Sequence, residues 1–134
     1  HTGVNAVNID IALDAKETGL KVIVFGSAAE AKDKTTKHSC GKTLFELADL
    51  VVDTCAPAED ASVPLKNHVD KVGPVSTMAF VTAVWMTVTT VAEILADRGV
   101  KLHIHPSHNV PGDSTSKQRL AEALSEYKRR ITGV

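Results

Sequence analysis

The chain has 134 residues, 43% apolar and 23% charged, with 15 Lys+Arg against 16 Asp+Glu for a formal net charge of -1. A length of this order supports one domain with one core, and the composition is that of an ordinary soluble globular protein. The balanced charge and an aromatic content of 4% exclude a polybasic surface, an acidic tail and a base-stacking platform, so neither nucleic acid nor a membrane is expected as a partner.

The chain opens on His1-Thr2-Gly3-Val4-Asn5, a loop that runs straight into a helical stretch with no strand before it. That start predicts a chain that begins in mid-fold or has lost an N-terminal portion. Asn5 is a good N-cap and Gly19 a good stop, which predicts a helix between them. Val7, Ile9, Ile11 and Leu13 also alternate as in a strand, but the Ala, Asp, Lys and Glu among them disfavour that reading. Lys21 to Ser27 reads as a buried parallel strand ending in Gly-Ser, and residues 28 to 40 as a polar loop. Gly41 to Ala48 predicts a short helix with Leu44, Phe45 and Leu47 inward, and Leu50 to Asp53 a second buried strand.

Residues 55 to 73 carry Pro57, Pro64 and several charges and read as an extended surface loop. Pro74 then stands where a first helical turn tolerates proline. Val72 to Ala92 holds no charged residue, but five threonines between Thr77 and Thr90, with Gly73 and Pro74, argue against a membrane span. The helix predicted from Val75 to Asp97 is instead expected in a soluble core or an oligomer interface. Its seam runs through Val81, Val84, Trp85, Val88, Val91, Ala92 and Leu95, and Arg98-Gly99 ends it. Lys101 to His105 suits an edge strand, and Ser116 to Arg130 a final amphipathic helix. Short apolar strands alternating with helices predict an α/β fold with a parallel sheet, whose ligands bind outside the carboxyl ends of the strands.

Several residue groups can carry chemistry. Thr2-Gly3-Val4-Asn5 offers a hydroxyl, a close backbone approach and the amides of a helix start, which suit a phosphate. The same residues equally make a plain capped helix start. Ser27 places a hydroxyl at the end of a buried strand, as an ordinary turn also does. Gly41-Lys42-Thr43 resembles the end of a P-loop, but Thr36 stands where that motif needs its first glycine, so nucleotide binding by this route is rejected. His103, His105 and His108 form a metal-like cluster that lacks a nearby fourth ligand, and no metal or other cofactor is expected. His38 titrates near neutrality and is the acid/base candidate. Cys40, near the start of a predicted helix, is placed to have a lowered pKa. Glu59, Asp60 and Asp70, carboxylates in loops, are the remaining acid/base candidates, and each reads more readily as solvated surface. Cys40 and Cys55, fifteen apart and without a CxxC pair, fit a reducing compartment, and with no secretory signal at the start the expected location is cytoplasmic.

In combination these stretches resemble a known family. Thr2-Gly3-Val4-Asn5 is similar to the phosphate loop of the sugar isomerase (SIS) domain, and the helix and strand that follow keep its order. His38-Ser-Cys-Gly-Lys42, Leu44-Phe-Glu-Leu-Ala-Asp49, Lys71-Val-Gly-Pro-Val-Ser-Thr77 and Ser107-His-Asn109 resemble a bacterial group of uncharacterised SIS-domain proteins described as phosphosugar-binding or phosphoheptose-isomerase-like. The resemblance implies a flavodoxin-like parallel sheet, usually of five strands, flanked by helices. Residues 1–134 would then be the C-terminal portion of a single SIS domain. It implies binding of a phosphorylated sugar, either as an aldose–ketose isomerase or as a non-catalytic sensor, and assembly as a homodimer or homotetramer. Thr2, Gly3 and Asn5 match the phosphate loop, Ser27 the hydroxyl after the next strand, and Ser76 and Thr77 a pair opening the long helix. Gly26, Cys40 and Glu59 depart from the group's pattern. Without a preceding strand, Val22 to Phe25 would expose an unpaired edge, which predicts association or marginal solubility.

Overall fold

The computed structural model describes residues 1–107 and 113–133, which fall into two compact units, residues 1–88 and 89–134. The first unit begins with helix α1, Ala6–Glu17, capped as its sequence predicts by Asn5, whose Oδ1 accepts the Val7 N–H at 3.2 Å. Strand β1, Ile23–Gly26, leads into a single helical turn, α2, Ala28–Ala31. A polar stretch reaches α3, Leu44–Leu47, where Thr43 and Glu46 exchange bonds in a capping box. Strand β2, Leu50–Asp53, pairs in parallel with β1 in the register Ile23↔Leu50 to Gly26↔Asp53. Ile9, Ala12 and Leu47 form the core cluster, with Leu13, Val22 and Leu44 packed against it.

Residues 55 to 73 are not a plain loop. They contain β3, Ala61–Pro64, and β4, Lys71–Pro74, an antiparallel pair in a sheet of its own. Both prolines close their strands, so Pro74 ends β4 rather than opening a helix. A missing N–H is tolerated at a strand end, and for that reason prolines and charges hid the hairpin. A Glu59–Lys71 ion pair links the approach to β3 with the first residue of β4. The loop expected over residues 28 to 40 likewise begins with α2, nucleated when Ser27 Oγ accepts the Glu30 N–H at 3.2 Å.

Helix α4, Ser76–Asp97, starts in the first unit and ends in the second. Its first turns join β1 through an edge-to-face contact of Phe80 with Phe25, ring centroids 6.0 Å apart. By length and composition it is long and apolar enough to cross a membrane, and none of its residues is buried, so it is not a core helix within this chain. Strand β2 is also less buried than expected, with Leu50 55% exposed. In the second unit α4 ends at Gly99, in the left-handed conformation (φ 72°), with the Val100 N–H returning to the Leu95 oxygen at 3.0 Å. Residues 101 to 105 form no strand. Helix α5, Ser116–Thr132, follows, and Glu126 pairs with both Arg129 and Arg130 on its surface.

Candidate functional site

The carboxyl ends of β1 and β2 lie side by side, and the ladder runs one residue further through the Thr54 N–H to the Gly26 oxygen at 2.9 Å. Asp53 draws in the next chain segments: its Oδ1 accepts the Ala28 N–H at 3.1 Å and the Cys55 N–H at 2.9 Å. Above these strand ends sits a cavity of about 190 Å³ lined by Gly26, Thr54, Ser76 and Thr77, with His1, Phe25 and Phe80. The start of α4 supplies Ser76 and Thr77. First-turn amides of a helix have no partner within the helix, and its dipole favours negative charge there. Asp60 already uses part of that potential. Its Oδ1 accepts the Ser76 N–H at 2.8 Å, its backbone oxygen accepts the Val75 N–H at 3.0 Å, and the Ser76 amide and hydroxyl hold its carboxyl below the usual range.

The opening turn is packed by protein. Gly3 is buried with φ 69°, its oxygen accepts the Leu44 N–H at 2.7 Å, and a Cβ built on it would stand 2.5 Å from the Phe45 ring. The glycine is therefore required here by the approach of Phe45. Thr2 is half-buried, and Asn5 spends its side-chain oxygen on the helix cap. Ser27 is fully buried, and its hydroxyl donates to the Ala56 oxygen at 2.7 Å while accepting from Glu30.

His38 stands on the flank of α1. Its Nε2 lies 2.8 Å from Asp10 Oδ1, its Nδ1 accepts the Cys40 N–H at 3.1 Å, and its own amide donates to Thr36 Oγ1 at 3.0 Å. The Cys40 thiol and the Asp10 carboxylate raise its pKa above the ordinary 6.5.

Of the residues singled out in the sequence, the cavity at the strand ends gathers Ser76 and Thr77; Thr2, Gly3, Asn5, Ser27 and His38 do not line it. A larger groove of about 490 Å³ runs along α1 and β1 and is lined by Gly3, Ile11, Ala15, Val24 and Phe45 among others. His1 and Thr54 carry no individual sequence signal, because each matters through the element it abuts. Asp60 alone left a trace, as an acidic residue shortly before a long helix. His103 and His105 stand outside any strand, and His108 and Asn109 lie outside the described residues. No group of three or more metal-ligating side chains occurs among the described residues.

No protein-family model matches the chain. Its homologues over nearly the full chain are UPF0309 proteins. It is 36% identical over 130 residues to the UPF0309 protein of Oceanobacillus iheyensis, which covers 97% of this chain and 52% of that relative. It is 33% identical over 121 residues to that of Shouchella clausii, covering 90% and 49%. With the protein of Streptomyces coelicolor the figures are 32% over 130 residues, 97% and 51%. The chain thus spans about half the length of the curated relatives it matches.

Proposed function

We propose that this chain is the C-terminal portion of a SIS-type α/β domain and that it binds a phosphorylated sugar at the carboxyl ends of β1 and β2. The observation that carries the reading is the 190 Å³ cavity where those parallel ends meet Ser76 and Thr77 at the start of a 22-residue helix. Parallel α/β sheets take ligands at that edge, and a helix start favours a phosphate. The volume suits a phosphate and adjoining carbons, with the sugar extending outward. In this reading the fuller flavodoxin-like sheet is built with strands from the remainder of a longer protein, consistent with the half-length coverage of the relatives. Assembly as a homodimer or homotetramer and a cytoplasmic location, in keeping with the free thiols Cys40 and Cys55, belong to the same proposal.

As an isomerase the site needs a base that moves a proton between C1 and C2 and an acid at the sugar oxygens. The one histidine among the cavity's lining residues is His1, whereas His38 is engaged by Asp10 and does not line it. That separation favours the sensor reading for these residues. Titration calorimetry of the intact chain with aldose and ketose phosphates tests the proposal. Phosphorylated sugars are expected to bind and their unphosphorylated counterparts not to. Thr77→Val is expected to weaken binding about tenfold, the value of one hydrogen bond to a charged group. Asp60→Asn removes a like charge from the helix start and is expected to tighten binding. Absence of heat with every phosphosugar, or indifference to both substitutions, overturns the reading. Turnover of a bound sugar separates isomerase from sensor.

A further inference from the structure

We propose that His38 is a pH-operated latch: the neutral ring holds the backbone of the Cys40 turn against helix α1, and on taking a proton it lets that turn go. The inference is independent of phosphosugar binding, because none of Asp10, His38 and Cys40 lines the cavity at the strand ends. It rests on two hydrogen bonds that ask opposite things of one imidazole.

The His38 side chain is only 14% exposed, and both of its nitrogens are engaged. Nδ1 lies 3.1 Å from the Cys40 nitrogen. A backbone N–H can only donate, so Nδ1 is the acceptor and carries no proton. The one ring proton therefore sits on Nε2, which donates to Asp10 Oδ1 at 2.8 Å. This is the neutral imidazole, fixed in one tautomer from both ends. A second proton has one place to go, Nδ1, and an imidazolium donates from both nitrogens. Two donors then face each other across 3.1 Å, a separation that suits a donor and an acceptor. At the other end the same proton makes the Asp10 contact a bond between opposite charges, which is stronger. The two ends respond in opposite directions: Asp10 tightens its hold on Nε2, and the Cys40 amide is expelled from Nδ1.

The surrounding chain lets the turn move without unfastening the whole stretch. Thr36 Oγ1 accepts the His38 N–H at 3.0 Å and donates to the Val4 oxygen at 3.5 Å, and neither bond titrates. Residues 36 and 38 thus stay at the start of α1 in both protonation states. Gly41, next after Cys40, holds φ 69° with open space where a Cβ would stand, so the chain can readjust there without a clash. What shifts is the link of residues 39–42 ahead of the Thr43 cap of α3, and with it the exposed Cys40 and Lys42. The titratable groups acting on the ring are the Cys40 thiol, on the turn itself, and Asp10, on α1. Lys42 acts on the thiol, through its amide at 3.4 Å from Sγ and through its charge. Asp10 favours the imidazolium while the Cys40 amide opposes it, so the changeover stays within reach of a mild change in pH.

Heteronuclear NMR of the intact chain between about pH 5 and pH 8 reads both ends of the latch. The His38 ring signals report its titration. The Cys40 amide is expected to follow with the same midpoint, losing its protection from hydrogen exchange as the ring gains its proton. The His38 amide, bonded to Thr36, is expected to keep its protection throughout. Asp10→Asn removes the charge that favours the imidazolium and is expected to lower the midpoint by about half a pH unit, the size of an exposed ion pair. Cys40→Ser keeps the backbone amide and is expected to keep the response. Four results each overturn the proposal: a Cys40 amide indifferent to the ring, loss of the His38 and Cys40 amides together, a midpoint unmoved by Asp10→Asn, or a response abolished by Cys40→Ser. The first two comparisons are made within the unmodified chain, so they stand even where a variant fails to fold.

Discussion

Asp49 does more structural work than any other exposed carboxylate in the first unit. Its Oδ2 accepts the Val22 N–H at 2.9 Å and the Lys16 ammonium at 3.0 Å, and its Oδ1 the Lys21 ammonium at 3.3 Å. One side chain thus joins α1, the approach to β1 and the approach to β2. The Val22 amide first, then Lys16 and Lys21, holds its carboxyl far below the ordinary 3.8. A group depressed on folding stabilises the native state above its unfolded value, and that contribution is lost as the pH falls through the folded one. Denaturant melts are therefore expected to show Asp49→Asn less stable at neutral pH, with the gap to the unmodified chain narrowing as the pH drops below 3.8. A gap constant across that range would contradict this. Ser27→Ala gives a second test. It strands the Ala56 oxygen and removes the cap of α2, which is expected to cost about 2 kcal/mol in the same melts. Neither role is visible in the sequence: Asp49 is one carboxylate among many, and the sequence marks Ser27 by its hydroxyl without marking the buried Ala56 carbonyl that it meets.

Among the elements, the opening turn and α3 constrain one another. Phe45 fills the space beside Gly3 and comes within 2.7 Å of where a Cβ on Gly26 would stand. Gly3→Ala combines a left-handed backbone with an overfilled contact, and a loss of about 2 kcal/mol or more is expected in a thermal or denaturant melt. Phe45→Leu should recover the steric share of that loss in the double variant and leave the backbone share. No recovery would place the whole cost in the backbone. Element by element, local signals carried far: the Asn5 cap and the Arg98-Gly99 stop each mark an end that the structure keeps, while the helix expected from Gly41 to Ala48 shortens to Leu44–Leu47 behind the Thr43–Glu46 capping box. The β3–β4 hairpin escaped because its prolines fall at strand ends, and both strands lie exposed, with none of the alternation that burial imposes. Lys101 to His105 erred the other way. Its alternating pattern is that of a strand, yet an edge strand exists only beside a neighbouring strand, and among the described residues it joins neither sheet.

At the scale of the molecule, Ile9, Ala12, Val24, Leu47 and Ala56 are the buried hydrophobic residues described, while Ile23, Leu50, Met78, Trp85 and Met86 are more than half exposed. Two-stranded sheets are marginal alone, and a parallel pair is ordinarily covered on both faces. The 490 Å³ groove beside β1 has the same origin, since apolar residues of α1 and β1 face it. The chain by itself is therefore expected to self-associate, with light scattering during size-exclusion chromatography showing a mass that rises with concentration. A monodisperse monomer that melts cooperatively would refute this. The succession α1–β1–α3–β2, the long helices α4 and α5, the Asn5 cap and the parallel character of the two apolar strands were determined by the sequence alone, because each depends on neighbours a few residues away or on a simple apolar period. Which helix start lines a cavity, which hydroxyl is spent on a buried carbonyl, and which histidine meets a carboxylate were decided only by the tertiary structure. Those outcomes depend on side chains far apart along the chain competing for the same few partners, and a linear pattern does not record who wins.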